Sequence, residues 1–114
     1  MPFTPRLVFV TASSLVEARN LAQGILEAHL AACVNLIPAV ESHYRWKGKI
    51  EKSSEVMLVI KSSAEQFDSL AGFVRKHHSY ECPEIIAVAA HEISPAYRSW
   101  WDEAMMGPSD GSTE

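Results

Sequence analysis

"AACVNLIPAVESHYRWKGKIEKSSEVMLVIKS", residues 31–62, contains two β-rich stretches on either side of Gly48. Glycine lacks a side chain and therefore adopts the positive φ that a tight hairpin turn requires. Pro38 has no backbone N–H to donate, and we expect it to mark a bulge or an unpaired edge position in the first strand. The stretch predicts a long β-hairpin.

A strand and a helix precede the hairpin, and a second helix follows it. Residues 6–12 form a short apolar run, and apolar residues then recur at helical spacing in residues 15–29 and again in residues 67–78. Ser14 with Glu17 three residues later is a capping-box pattern, in which two side chains satisfy free amides at a helix start. Ser63 with Gln66 repeats this pattern and predicts a second helix start.

Two further elements complete the chain. Residues 83–93, "PEIIAVAAHEI", predict a fourth strand, and residues 94–105, "SPAYRSWWDEAM", predict a last helix with Pro95 in its first position. The order is that of the α+β, ferredoxin-like split βαβ fold, βαββαβ plus a C-terminal helix, with an antiparallel sheet and both main helices on one face. We expect one domain over residues 1–106 and a disordered tail at 107–114.

The composition excludes several classes of protein. Fourteen acidic and ten basic residues give a formal net charge of −4, so no global positive field attracts phosphates and we expect no nucleic-acid partner. The apolar run near the start is too short for a signal peptide or a membrane span. We therefore expect a cytoplasmic protein with no membrane span. The two cysteines, Cys33 and Cys82, form no disulfide framework and are expected to be free thiols.

The strands are apolar on both faces, although this architecture covers only one face with helices. A monomer would expose a larger apolar patch than soluble proteins usually tolerate. The hairpin is also long enough to project beyond the sheet, and Tyr44 and Trp46 alternate onto one of its faces. These patterns predict a homo-oligomer. The alternative is that the two rings pack within their own hairpin.

Three groups of residues between Glu17 and Ala87 resemble a known family. They read "EA…LA…LE..LAACVNLIP", "S.Y.WKGKIE…E..L.IK" and "H.YE.PEIIA". They are similar to the CutA divalent-cation tolerance proteins, and the resemblance extends from about Val8 to Trp100. It implies a ferredoxin-like fold, a homotrimer built by strand pairing between subunits, and a role in the tolerance of copper and other divalent cations.

The same resemblance implies a metal site. Family members proposed to bind copper use a cysteine in the first strand, a histidine at the end of the second helix and a glutamate after the following proline. Here the histidine is His77 and the glutamate is Glu84, but Val10 stands at the cysteine position. We expect copper or another divalent cation to bind weakly. Cys82 supplies the missing thiolate ligand only if the loop that carries Cys82 turns this side chain inward.

Other interpretations stay open at this point. Histidines at a helix C-terminus also serve as caps, because the helix dipole favours positive charge there. A small-molecule or protein-binding trimer, similar to PII-type signalling proteins, would use Tyr44, Trp46 and Lys61, with His77, to line a cleft between subunits. The resemblance also implies a further alternative, which is the role in acetylcholinesterase maturation that has been proposed for animal members.

We expect no enzymatic activity. Nucleophilic catalysis would need Cys33 or Cys82 beside a base, but Cys33 lies in an apolar strand, where a thiol is usually inert. Cys82 is close to His78 only in sequence. The chain has no Gly-rich phosphate loop, HExxH zinc pattern or CxxC metal-chaperone motif.

Overall fold

Four strands and three helices follow one another in the predicted order. The structure, a computed structural model, describes residues 3–106, so the predicted tail at 107–114 lies outside the described residues. The elements are β1 (Pro5–Ala12), α1 (Leu15–Glu27), β2 (Cys33–Trp46), β3 (Lys49–Ser63), α2 (Phe67–His77), β4 (Ile86–Ala89) and α3 (Pro95–Met105). The strands form one antiparallel sheet in the order β2-β3-β1-β4. This confirms the α+β, ferredoxin-like fold.

The long hairpin turns at Lys47 and Gly48, which both have positive φ, 51° and 79°. Positive φ at two central residues is typical of the two-residue turn that matches the twist of a hairpin. β1 pairs with β3 only from Val56 to Ser63, so residues 40–55 extend beyond β1 as a two-stranded ribbon. We call this ribbon the arm. It gives the chain a long axis of 53 Å.

A β-bulge lies in β2 at Pro38 and Ala39. The register shifts there, because Ile37 pairs with Met57 whereas Val40 pairs with Glu55. Two residues of β2 therefore stand opposite one residue of β3, and Ala39 adopts a positive φ of 64°. One extra residue reverses the alternation of a strand. As a result, the even-numbered residues of the arm's first strand share a face with the odd-numbered residues of β3. The bulge predicted from Pro38 is confirmed.

One face of the sheet carries the core. Side chains of β1 and β3, such as Val8, Leu58 and Ile60, are fully buried against α1 and α2. Residues that alternate with these point to the opposite surface, which we call the open face. The open face contains Leu7, Phe9, Ile37, Met57, Val59, Lys61, Ile86 and Val88.

The last helix covers only one end of the open face. Trp101 is buried, and its Nε1 donates a hydrogen bond to the carbonyl of Ser62 at 3.1 Å. Elsewhere on this face Ile86 remains 52% exposed, Val88 41% and Ile37 49%. The described chain therefore leaves an apolar sheet surface uncovered, as the two-sided strand pattern predicts.

Two predicted element boundaries are wrong. α2 begins at Phe67, not directly after Ser63, because Ser63 pairs with Pro5 and remains in β3. The Ser63 hydroxyl still accepts a hydrogen bond from the Gln66 amide at 3.1 Å. One of the two hydrogen bonds of the capping box is therefore present, but it lies in a turn that precedes the helix. β4 is limited to Ile86–Ala89, because β1 pairs with it only over four residues.

The two main helices approach each other closely at Gly24. A Cβ atom added at Gly24 would lie 2.5 Å from the ring of Phe73, whereas one at Gly72 would meet only the Arg75 side chain at 3.9 Å. Alanine in a helix interior stabilises the folded protein by about 1 kcal/mol relative to glycine, but a side chain forced into filled space destabilises it by about 1–3 kcal/mol. We therefore expect Gly72→Ala to raise the free energy of unfolding and Gly24→Ala to lower it. Urea unfolding of both variants measures the difference, and equal gains would contradict this packing.

Candidate functional site

The loop between α2 and β4 is fixed by a buried histidine. The His78 side chain is fully buried, and its Nε2 donates to the carbonyl of Thr11 at 2.7 Å. Its Nδ1 accepts from the Tyr80 amide at 3.0 Å. These two partners assign the neutral tautomer with the proton on Nε2, since the amide can only donate and the carbonyl can only accept. His78 therefore holds the loop against the end of β1.

Glu17 holds the same loop from the first turn of α1. Its carboxylate accepts from the amide and hydroxyl of Ser13 at 2.9 and 2.8 Å, and from the Ser79 amide at 2.7 Å. Burial alone would raise the pKa of Glu17, but the hydrogen bonds from Ser13 and Ser79 lower it from 4.5 to about 2. The predicted cap of α1 is present as well, because Ser14 Oγ accepts from the Glu17 amide at 3.1 Å.

A pocket of about 670 Å³ lies where this loop meets the base of the arm. We call it the arm-base pocket. The bulge in β2 turns Tyr44 and Trp46 to the same side as Glu55 on β3, and the loop supplies the opposite wall. Its lining residues are Ser42, His43, Tyr44, Trp46, Glu55, Ser79, Tyr80, Glu81, Cys82 and Glu84.

The electrostatics of the arm-base pocket are set by partly buried carboxylates. Glu55 is only 8% exposed and accepts a hydrogen bond from the Tyr80 hydroxyl at 2.8 Å. Burial, followed by the negative charge of Glu55, raises the pKa of Glu84. Burial and the bond to Glu55 also raise the pKa of Tyr80. Both shifts mean that negative charge in this pocket is incompletely solvated, which favours a positively charged ligand.

His77 lies in a different place from Glu84. It belongs to a groove between α1 and α2 that also contains Glu17, Gly24 and Phe73. Its ring stacks on Phe73 with centroids 4.2 Å apart, and its Nδ1 donates to the Phe73 carbonyl at 2.9 Å. With the proton on Nδ1, the Nε2 atom of the neutral ring can accept a hydrogen bond. Within one chain the structure does not bring the predicted ligands His77 and Glu84 into one pocket.

The remaining predicted site residues also separate. Tyr44 and Trp46 line the arm-base pocket together with Glu84 and Cys82, whereas Lys61 does not. The Lys61 Nζ donates to Asn35 at 2.7 Å and lies 3.9 Å from the Cys33 sulfur on the open face. A cleft that joins Tyr44, Trp46 and Lys61 thus stays a prediction about an assembly of several chains.

The described residues contain no preformed metal centre. Within residues 3–106 no group of three or more His, Cys, Asp or Glu side chains is placed to hold an ion. Val10, at the position of the family cysteine, is fully buried in the core. Cys82 is exposed and lies beside Glu84 in the arm-base pocket, and both cysteines are free thiols. The donor set of one chain therefore does not fit a complete site.

Sequence reasoning missed the contribution of Glu55, Tyr80 and Glu17 to this region. The pattern around Glu17 predicts only a helix cap, although Glu17 also binds a loop amide 62 residues away. The family motifs "EA", "E..L.IK" and "H.YE" contain all three residues, but a motif does not say which side chains contact one another.

A family model, described as CutA1 divalent ion tolerance protein, matches residues 6–104. The chain belongs to this family. The mouse Protein CutA is 39% identical over 113 residues, which cover 99% of this chain and 64% of the mouse protein. The divalent-cation tolerance protein CutA of Yersinia pestis is 35% identical over 88% of this chain and 84% of its own length. The chain thus spans less than two thirds of the mouse CutA protein and most of the bacterial one.

Solved structures of CutA1 proteins have the same fold. The divalent cation tolerance protein of Thermus thermophilus aligns with a TM-score of 0.85 and 35% identity, covering 88% of this chain and 97% of that chain. CutA1 from Oryza sativa aligns with a TM-score of 0.87 and 33% identity, covering 93% and 98%. These matches confirm the resemblance to the CutA proteins and the fold it implies.

The similar structures include a protein described as periplasmic. One similar structure, with 36% identity and a TM-score of 0.85 over 89% of this chain and 98% of that chain, is the periplasmic divalent cation tolerance protein CutA of Archaeoglobus fulgidus. No helix in the described range 3–106 has both the length and the apolar character needed to cross a membrane. The predicted cytoplasmic location stays a prediction.

Proposed function

We propose that this CutA1 family member acts in the tolerance of divalent cations as a cytoplasmic homotrimer that binds a metal ion weakly and catalyses no reaction. Family membership over residues 6–104 is the observation that supports this most strongly. Copper is the cation that the resemblance implies. The acidic arm-base pocket adds a local reason for cations to accumulate near Glu84.

The open face supports an assembly. Its exposed isoleucine and valine side chains form a surface that a second copy of the chain would remove from water, with a gain of about 25 cal/mol for each Å² of apolar area. The count of three copies follows from the family resemblance. Since one chain keeps His77 and Glu84 apart, we propose that a site containing both takes them from two copies.

Calorimetric titration of the reduced protein with Cu²⁺ or Zn²⁺ tests the metal-binding part. We expect weaker binding than in family members that keep the first-strand cysteine, because Val10 supplies no thiolate. His77→Ala and Glu84→Gln should each lower the affinity at least about tenfold, as expected for the loss of a metal ligand. Cys33→Ser is the matched control and should leave the affinity unchanged. Titration curves that neither ligand variant alters would exclude the site.

A second candidate function is a trimeric interaction or small-molecule-binding module without enzymatic activity, similar to PII-type proteins or to the protein-maturation role proposed for animal relatives. The aromatic wall of the arm-base pocket, Tyr44 and Trp46, favours it, because rings contribute apolar contact but no metal ligand. Metal titrations without any heat of binding would favour this module.

A further inference from the structure

We propose that the arm-base pocket binds a small organic cation, an alkylammonium ion, whose ammonium group pairs with two glutamates and whose alkyl part contacts aromatic rings. The glutamates are Glu55 and Glu84, and the rings are those of Tyr44, Trp46 and Tyr80. This goes beyond the proposed role in metal tolerance, because the ligand is organic and His77 takes no part in binding it.

Uncompensated negative charge is the first reason. Among the described residues, the lining of the pocket includes Glu55, Glu81 and Glu84 but no lysine or arginine, and its one histidine, His43, pairs with Glu41 at 2.7 Å. Tyr80 donates to Glu55 Oε2, and the described residues show no hydrogen bond to Glu55 Oε1. A carboxylate oxygen that is buried without a donor is costly. An ammonium N–H would supply the missing donor.

The aromatic wall is a second and independent reason. Tyr44 and Trp46 both remain exposed at the mouth of the pocket. The ammonium group of Lys47 already lies 5.7 Å from the centre of the Trp46 ring. The ring thus accepts a cation from the protein itself, as the negative potential at the face of an indole predicts. Rings around a carboxylate pair suit an ammonium ion that carries alkyl groups.

The same arrangement suits a metal ion poorly. A bare divalent ion needs three or more oxygen, nitrogen or sulfur ligands, and residues 3–106 contain no such group. The two glutamates assigned to the ligand fill only a few of its coordination positions, and the three rings fill none. An alkylammonium ion requires fewer directed contacts, since its apolar part is satisfied by packing against the rings.

The proposal is tested with butylammonium chloride as the probe and 1-butanol as its neutral counterpart, both added to the full chain in the presence of EDTA. Chelation of divalent ions separates this test from the metal-binding proposal. Binding is followed by NMR through the indole N–H signal of Trp46, which Trp46→Leu identifies by its loss. We expect butylammonium to shift this signal in a saturable way, and 1-butanol to shift it little.

Variants then assign the contacts. Glu84→Gln and Glu55→Gln should each weaken butylammonium binding about tenfold, the effect of losing a hydrogen bond to a charged group. Glutamine at position 55 can still accept the hydrogen bond from the Tyr80 hydroxyl. If Glu55→Gln nevertheless fails to fold, the variant of the partly buried Glu84 still tests the proposal. Glu103→Gln on α3 removes one carboxylate elsewhere and should change nothing. Equal binding of butanol, no saturable shift, or unchanged binding in Glu84→Gln would overturn the proposal.

Discussion

Replacing Ile37 and Val88 together with lysine is expected to convert the assembled protein into monomers. Both side chains lie on the open face and are 49% and 41% exposed in the single chain, so one protomer can hold the new charges in water. Assembly through this face would bury them without partners, which costs several kcal/mol for each charge. Light scattering at micromolar concentration should report a mass near three times 12.6 kDa for the unmodified chain and near 12.6 kDa for the double variant.

Val16→Lys supplies the control for this experiment. Val16 is an apolar residue that is 67% exposed on α1, away from the open face, and its substitution should leave the mass unchanged. The melting temperature offers a second measurement, because it depends on protein concentration when folding and assembly are coupled. A monomeric unmodified chain, or a double variant that assembles equally well, would show that the open face is not the interface.

Glu17→Gln should lower the free energy of unfolding at pH 7 by about 3 kcal/mol. The carboxylate takes three hydrogen bonds from Ser13 and Ser79, and these lower its pKa from 4.5 to about 2. A depressed pKa of that size corresponds to about 1.4 kcal/mol for each unit. Glutamine keeps one acceptor oxygen but turns an NH₂ group toward at least one of the donors. Urea unfolding curves of the two proteins measure the loss.

The pH dependence identifies the cause of this effect. Because the pKa of Glu17 is lowered on folding, its contribution is complete above pH 4.5 and disappears as the pH falls toward about 2. The difference between Glu17→Gln and the unmodified chain should therefore shrink over this range. Glu27→Gln on the same helix, whose carboxylate accepts one hydrogen bond within residues 3–106, from Gln23, should cost less than about 0.5 kcal/mol. A difference as large at pH 2.5 as at pH 7 would assign the loss to packing.

Local signals in the sequence were sufficient for the element order and for the two special positions of the hairpin. Gly48 and Pro38 act through their own backbone, one by allowing positive φ and the other by lacking an N–H, so their effects do not depend on distant residues. Ser63 shows where this reasoning fails. Its capping pattern is as good as that of Ser14, but a ladder with Pro5 keeps it in the sheet. Pairing between distant strands overrides a local preference worth about 1 kcal/mol.

The candidate site was less predictable, because family motifs give positions along the chain but not directions in space. His77 is the last residue of α2, whereas His78 has the extended backbone angles φ −91° and ψ 147°. This change of conformation turns one imidazole toward the interhelical groove and the next into the interior. The Tyr80–Glu55 contact joins residues 25 positions apart and is equally invisible to local patterns.

The bulge at Ala39 has a consequence for how this pocket can change during evolution. Tyr44 and Trp46 face the pocket because they pair with Glu51 and Lys49, and the extra residue is absorbed at the bulge. Deleting Ala39 would remove the bulge but leave both of these pairs in place, so the two rings would keep their face. A single codon deletion at this position would thereby straighten the strand without exchanging the aromatic wall. Natural variation in the length of β2 at the bulge should therefore change the bend of the arm and leave the ligand preference of the pocket unchanged.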